Sequence, residues 1–139
     1  KVISLQVSPG HRMCMSFLRT MKVLANKGIS GDHHMGKTKS RQVLLMDDKS
    51  LITFGLKPGQ IRENITVSGI DIHQLTTGQK LNIGDATLEI TGHCEPCGRM
   101  DELIQGLRVK INGRRGMLCK VIKTGIIKIG DPVSRLDNQ

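Results

Sequence analysis

Thr91-Gly92-His93-Cys94-Glu95-Pro96-Cys97-Gly98-Arg99-Met100 holds the most reactive residue types in the chain. A cysteine thiolate is a strong nucleophile and a soft-metal ligand. The segment follows a strand pattern and precedes a helix pattern. A helix start with Arg99 beside it favours the anionic thiolate. Spacing alone leaves three alternatives. A structural zinc site needs four ligands, and the chain has no second CxxC and no HxxxH. A redox dithiol of the thioredoxin kind needs a βαβ context that the pattern lacks. The third is a pair of inert cysteines packed in the core.

Three other segments carry polar chemistry. Gly28-Ile29-Ser30-Gly31-Asp32-His33-His34-Met35-Gly36-Lys37 precedes Arg41-Gln42. Closely spaced glycines let backbone N–H groups approach an anion, and His34, Lys37 and Arg41 add donors. The spacing is not that of a Walker A loop, and a polar turn explains the same residues. In Pro58-Gly59-Gln60-Ile61-Arg62-Glu63-Asn64-Ile65-Thr66-Val67 a turn opens a strand. Glu63 and Asn64 point to opposite faces there, so at most one faces a given pocket. Gly113-Arg114-Arg115-Gly116 sets an arginine pair between glycines ahead of a strand. Arginine forks suit phosphate or carboxylate, and a tight basic hairpin is the plainer alternative.

The charge pattern points the same way. Lys and Arg number 21 against 12 Asp and Glu, a net +9. Residues 1–31 and 103–130 contain basic residues and no acid, which suits an anionic ligand, either nucleic acid or a phosphate-bearing cofactor. The only aromatic side chains of the Phe/Trp/Tyr group are Phe17 and Phe54, which argues against readers that stack bases on aromatic platforms. No apolar run approaches the ~20 residues of a membrane helix. Residues 1–10 alternate like a strand rather than forming a leader's apolar block, so reduced thiols and a cytoplasmic location are expected. Cys14 and Cys119 stand alone and read as small packed hydrophobes.

The elements that must position these segments are mostly strands. Val2 to Val7 alternates, with Ile3, Leu5 and Val7 on one face. Met15 to Leu24 fits neither period cleanly. Gln42 to Met46 reads as a buried strand, and a short element runs from there to Gly55. Further strands are expected at Glu63 to Val67, Lys80 to Ile83, Ala86 to Thr91, Met117 to Ile122, Ile126 to Ile129 and around Pro132-Val133. Met100, Leu103, Ile104 and Leu107 have helical spacing, with Asp101 and Glu102 near the start. Strands every 8–12 residues with 16 glycines give a β-barrel or sandwich pattern in one domain over 1–139.

The four segments occur in an order that resembles the MOSC domain, the C-terminal domain of molybdenum-cofactor sulfurases, which also occurs as a free-standing bacterial protein. The resemblance rests on Gly31-Asp32-x-His34, Pro58-Gly59-Gln60 with Glu63-Asn64-Ile65, Cys94-Glu95-Pro96-Cys97, and Gly113-Arg114-Arg115-Gly116 with Gly130-Asp131. It spans about residues 2 to 134. It implies a mainly β, barrel-rich fold with a few short helices and a pocket for the molybdenum cofactor (molybdopterin). It also implies a key cysteine, at Cys97, that carries sulfur or ligates molybdenum. Cys94 is present in only part of the family and at most supports Cys97. His34, Asn64 and Arg115 fall on motif positions. His33 stands where many relatives have Arg, and Arg62 where many have Gly.

The function expected from residues and resemblance together is a cofactor-binding MOSC protein. Sulfur transfer and molybdenum-dependent reduction of N-hydroxylated substrates are the two activities it implies. Cys97 and Cys94 are the candidate catalytic thiols, with Cys97 also the metal ligand. Asp32, His34, Lys37, Arg41, Asn64, Arg99 and Arg115 are the candidate cofactor contacts. His34, Asn64, Cys97 and Arg115 are expected to converge on one electropositive pocket. Expected partners are a cysteine desulfurase, a molybdoenzyme or a redox protein, with no membrane and no pyridoxal phosphate. The rival is a non-catalytic basic β-barrel that binds nucleic acid through its charge.

Overall fold

The computed structural model describes residues 1–136. In chain order the strands are β1 (Val2–Val7), β2 (Ser16–Leu18), β3 (Thr20–Leu24), β4 (Gly28–Ile29), β5 (Val43–Asp47), β6 (Ile65–Val67), β7 (Lys80–Ile83), β8 (Ala86–His93), β9 (Met117–Lys123), β10 (Gly125–Lys128) and β11 (Val133–Leu136). The helices are α1 (Asp48–Thr53), α2 (Arg99–Leu103) and α3 (Leu107–Lys110), with a 3-10 turn at Ile72–Gln74. The protein is therefore mainly β with three short helices among the described residues.

Eight strands form one sheet in the order β11-β7-β8-β9-β5-β6-β1-β2. Neighbours are antiparallel except β5 and β6, which run parallel with Leu45 beside Ile65. The expected barrel does not close. β11 pairs only with β7 and β2 only with β1, so the sheet has two free edges. The remaining strands form a separate sheet, β10-β3-β4, rather than bridging those edges. Met21, Val23, Ile29 and Ile127 of this small sheet share one core with Leu5, Leu45, Ile65, Leu81 and Leu88 of the large one. Burying each of these large side chains contributes about 1.5–3 kcal/mol before entropy is counted, which holds the two sheets together.

All five residues of β5 are buried. Val43 and Leu45 face the main core, while Met46 faces a second cluster with Leu51, Leu56, Ile61, Met100, Leu107 and Ile111. A strand covered on both faces needs a continuous apolar run, which is why Val43 to Met46 does not alternate. The second cluster seats α1, α2 and α3 on the outer face of the sheet, and the site forms above it.

Three local expectations need correction. In β1 a bulge between Val2 and Ser4 shifts the pairing with β6, so Val2 joins Leu5 and Val7 in the core and Ile3 is only half-buried. The expected helix from Met100 to Leu107 is broken into α2 and α3. The backbone turns extended at Ile104, which ends α2, and Gly106, at φ +82°, opens α3; Leu103 and Ile104 are left exposed. Met15 to Leu24 resolves into two strands, with Met21 and Val23 buried in β3 and Phe17 of β2 exposed.

Candidate functional site

A cleft of about 610 Å³ opens where four segments meet. The β1–β2 connection and β2 supply Arg12, Cys14, Met15 and Phe17. The loop after α1 supplies Pro58 to Arg62. The segment leading into α2 supplies Cys97 and Arg99, and the turn before β9 supplies Arg115. Its size suits a small-molecule ligand. Four arginines and Lys57 line it against one carboxylate, Glu102. The cleft therefore attracts anions.

Arg115 is the best-defined donor. It is only 7% exposed, and its Nη2 donates to the Ile61 carbonyl at 2.9 Å. Its Nε and Nη1 are buried with no protein partner. A guanidinium stays charged, so buried, unpaired donors at a cleft wall are costly unless an anion satisfies them. Gly113-Arg114-Arg115-Gly116 is thus more than a basic hairpin: Arg114 turns away to Ser50 Oγ, and Arg115 turns in.

Beneath this wall lies Glu63, fully buried. Its Oε1 accepts from the Gly59 N–H at 2.9 Å and its Oε2 from the Thr66 hydroxyl at 3.1 Å. Burial pushes its carboxyl up to about 7, against the opposing pull of those hydrogen bonds and of Arg115. Asn64, one residue on, turns the other way. Its Oδ1 accepts from the Leu44 N–H and its Nδ2 donates to the Gln6 carbonyl and to Asp32 Oδ1.

Asp32 is the centre of a neighbouring network. It is buried, and its Oδ1 accepts from the Ser8 N–H at 2.7 Å. Its Oδ2 accepts from the His34 N–H at 3.0 Å and lies 3.2 Å from His34 Nδ1. Ser8 connects this network to the cleft, because Arg62 Nη2 donates to Ser8 Oγ at 2.7 Å. Arg62 also donates from Nη1 to the Met13 carbonyl at 2.6 Å. Its φ is +65°, a conformation that suits glycine. This accounts for the departure noted in the sequence. The position favours Gly, and Arg accepts the backbone cost while its fork fastens the β1–β2 connection.

The turn before β9 is held from behind. The Gly116 N–H donates to His73 Nε2 at 2.9 Å, and the Gly116 carbonyl accepts from the Cys94 N–H at 2.9 Å. His73 Nδ1 sits 3.3 Å from Asp47 Oδ1, an electrostatic approach without the alignment of a good hydrogen bond. Burial raises the Asp47 carboxyl, but its contacts with His73 and Ser50 outweigh this and hold it below the ordinary range. Gly116 has φ +112°, and a Cβ there would stand 2.9 Å from the Leu45 carbonyl oxygen. Only glycine fits, so the Arg115 turn and the Cys94 segment are locked through one residue.

Of the residues singled out by sequence, Cys97, Arg99 and Arg115 line the cleft together. His34 and Asn64 do not line it: they belong to the Asp32 network, so the expected four-residue convergence is incomplete. Lys37 reaches His33 Nε2 at 3.5 Å and Arg41 is exposed, and neither lines the cleft. Cys97 is exposed and Cys94 buried. Cys119 is buried, as read, with its thiol pushed up to about 12 by desolvation. Cys14 is not a packed hydrophobe; it is exposed on the cleft wall, because its segment crosses the mouth outside any sheet. The described residues contain no cluster of three His, Cys, Asp or Glu able to hold a bare metal ion. By sequence, Arg62 and Glu63 read only as members of their segment and not as site residues, and the Asp47–His73 pair is not singled out at all. The Asp47-x-x-Ser50 cap of α1 had a local signal, and the Ser50 N–H donates to Asp47 Oδ2.

No helix among the described residues is long and apolar enough to cross a membrane. No curated protein matches the chain. Among solved structures, the chain is similar in fold to the YuaD protein from Bacillus subtilis (TM-score 0.85, 21% identity, covering 96% of this chain and 93% of that one). It is also similar to YiiM from Escherichia coli (TM-score 0.76, 14% identity, 99% and 70% covered). YiiM from Geobacillus stearothermophilus aligns comparably (TM-score 0.77, 14% identity, 99% and 75% covered). The family model for the MOSC domain matches residues 30–134, which include Asp32, Asn64, Cys97 and Arg115. That match covers most of the chain, and the chain belongs to the MOSC domain family.

Proposed function

We infer that the protein binds the molybdenum cofactor in the cleft, with Cys97 as molybdenum ligand or sulfur carrier. The observation that carries this is Arg115, a wall residue of the cleft that Cys97 enters, with two buried guanidinium nitrogens that have no protein partner. The residues fit the group. A pterin phosphate satisfies Arg115, with Arg99, Arg62 and Arg12 adding positive charge. The exposed Cys97 thiol offers one soft ligand. Since no cluster among the described residues holds a bare ion, the metal's other ligands would come with the cofactor.

When bound, the cofactor would supply two-electron redox chemistry at molybdenum or a site that accepts sulfur. The protein's share is positional. Arg115 binds and orients the anion. The backbone N–H and C=O of Gly116 fix the Arg115 turn relative to His73 and the Cys94 segment. The apolar wall of Met15, Phe17 and Ile61 excludes water from one side. Sulfur transfer involves a persulfide donor such as a cysteine desulfurase and an accepting molybdoenzyme, whereas reduction of N-hydroxylated substrates involves an electron-donating protein.

The test is expression in a cofactor-competent host, followed by metal analysis and fluorescence of the released, oxidised pterin. Wild type retains molybdenum and pterin together. Arg115→Met lowers both, and Cys97→Ser loses molybdenum retention or persulfide labelling while Cys94→Ser keeps most of it. Wild type that carries neither molybdenum nor pterin refutes the reading.

A further inference from the structure

We propose that Cys14 is a second working thiol of the cleft, paired with Cys97. The four cysteines divide sharply. Cys119 and Cys94 are buried, and Cys94 is tied through its N–H to Gly116. Cys14 and Cys97 are the two exposed thiols, and both line the same cleft, although 83 positions separate them in sequence. A second observation fixes the segment that carries Cys14. Arg62 clamps the Met13 carbonyl at 2.6 Å and Ser8 Oγ at 2.7 Å, which holds the residue next to Cys14 against the loop lining the cleft floor. Arg62 adopts a left-handed backbone to do so.

The pair is suited to a thiophilic substrate, a persulfide or disulfide. This rests on the reading of Cys97 as a sulfur carrier. A persulfide or polysulfide donor leaves an outer sulfur on Cys97. The Cys14 thiol gives its proton to water and attacks Cys97 Sγ. The Cys14–Cys97 sulfur–sulfur bond forms, and the bond to the outer sulfur breaks with its electron pair. The outer sulfur leaves into the cleft as hydrosulfide. It is reduced to sulfide while the two cysteines are oxidised to a disulfide, and a small dithiol reductant restores them.

The test needs no molybdenum. Reduced, folded protein is treated with one equivalent of 4,4′-dithiodipyridine, an aryl disulfide that places a pyridylthio group on an accessible cysteine. The expected result is two equivalents of released thiopyridone, no retained adduct by intact mass, and a Cys14–Cys97 link by peptide mapping. Cys14→Ser releases one equivalent and keeps the adduct on Cys97. Arg62→Gly removes the clamp and lowers the rate of the second release relative to the first several-fold. Cys94→Ser and Cys119→Ser behave as wild type. A Cys94–Cys97 link, or stable separate adducts on Cys14 and Cys97 in wild type, overturns the proposal. Either outcome leaves the molybdenum and pterin content a separate question.

Discussion

Replacing Glu63 with Gln tests whether the carboxyl beneath the cleft is held neutral by burial. The side chain is fully buried, and its carboxyl is shifted from 4.5 to about 7. At ~1.4 kcal/mol per pH unit this difference corresponds to roughly 3 kcal/mol. The direction is opposite to that of a salt-bridged acid. Between 4.5 and about 7 the folded protein holds a proton that the unfolded chain has released. Stability from this group therefore falls as pH rises through that window and is level above it. Glu63→Gln keeps an acceptor for the Gly59 N–H and cannot ionise. Its stability relative to wild type improves by roughly 3 kcal/mol between pH 4.5 and pH 8. The chain has no Trp or Tyr, so unfolding in urea is followed by far-ultraviolet circular dichroism under reducing conditions. A difference between variant and wild type that is constant with pH, or that shifts in favour of wild type as pH rises, refutes the reasoning.

Gly116→Ala costs about 2 kcal/mol or more, because its Cβ meets the Leu45 carbonyl and its backbone is left-handed; urea unfolding measures it. Asp47→Ala costs about 1–2 kcal/mol at neutral pH through loss of the α1 cap. Because the folded carboxyl titrates below its unfolded value, the Asp47 contribution is present above pH 3.8 and is lost as pH falls through the lower folded value, where the two proteins converge in acid-unfolding curves. Duplex DNA binds only through the net charge, with Kd on the order of 10⁻⁴ to 10⁻⁶ M and a steep salt dependence in anisotropy titrations. Sequence-selective binding at physiological salt would instead favour the nucleic-acid reading.

Strands were legible in the sequence wherever neighbouring residues decide their own environment. Lys80 to Ile83 and Ala86 onward form a hairpin as read, since Gly84-Asp85 turns it locally. The order of motifs identified the family, and the expected Cys97, Arg99 and Arg115 line one cleft. What escaped depends on contacts between distant segments. Nothing near Met100 reveals that the chain turns extended at Ile104, since the apolar spacing continues to Leu107. Whether strands close into a barrel depends on edge pairing, and β2 and β11 lie at opposite ends of both chain and sheet. Cys14 read as inert because burial is a property of the whole fold. A lone cysteine carries no local mark of whether its segment enters the core or crosses a cleft. Arg62 shows the division most directly: its type was visible as a departure from the family, but only the three-dimensional meeting of residues 8–13 with residue 62 gives that arginine its partners.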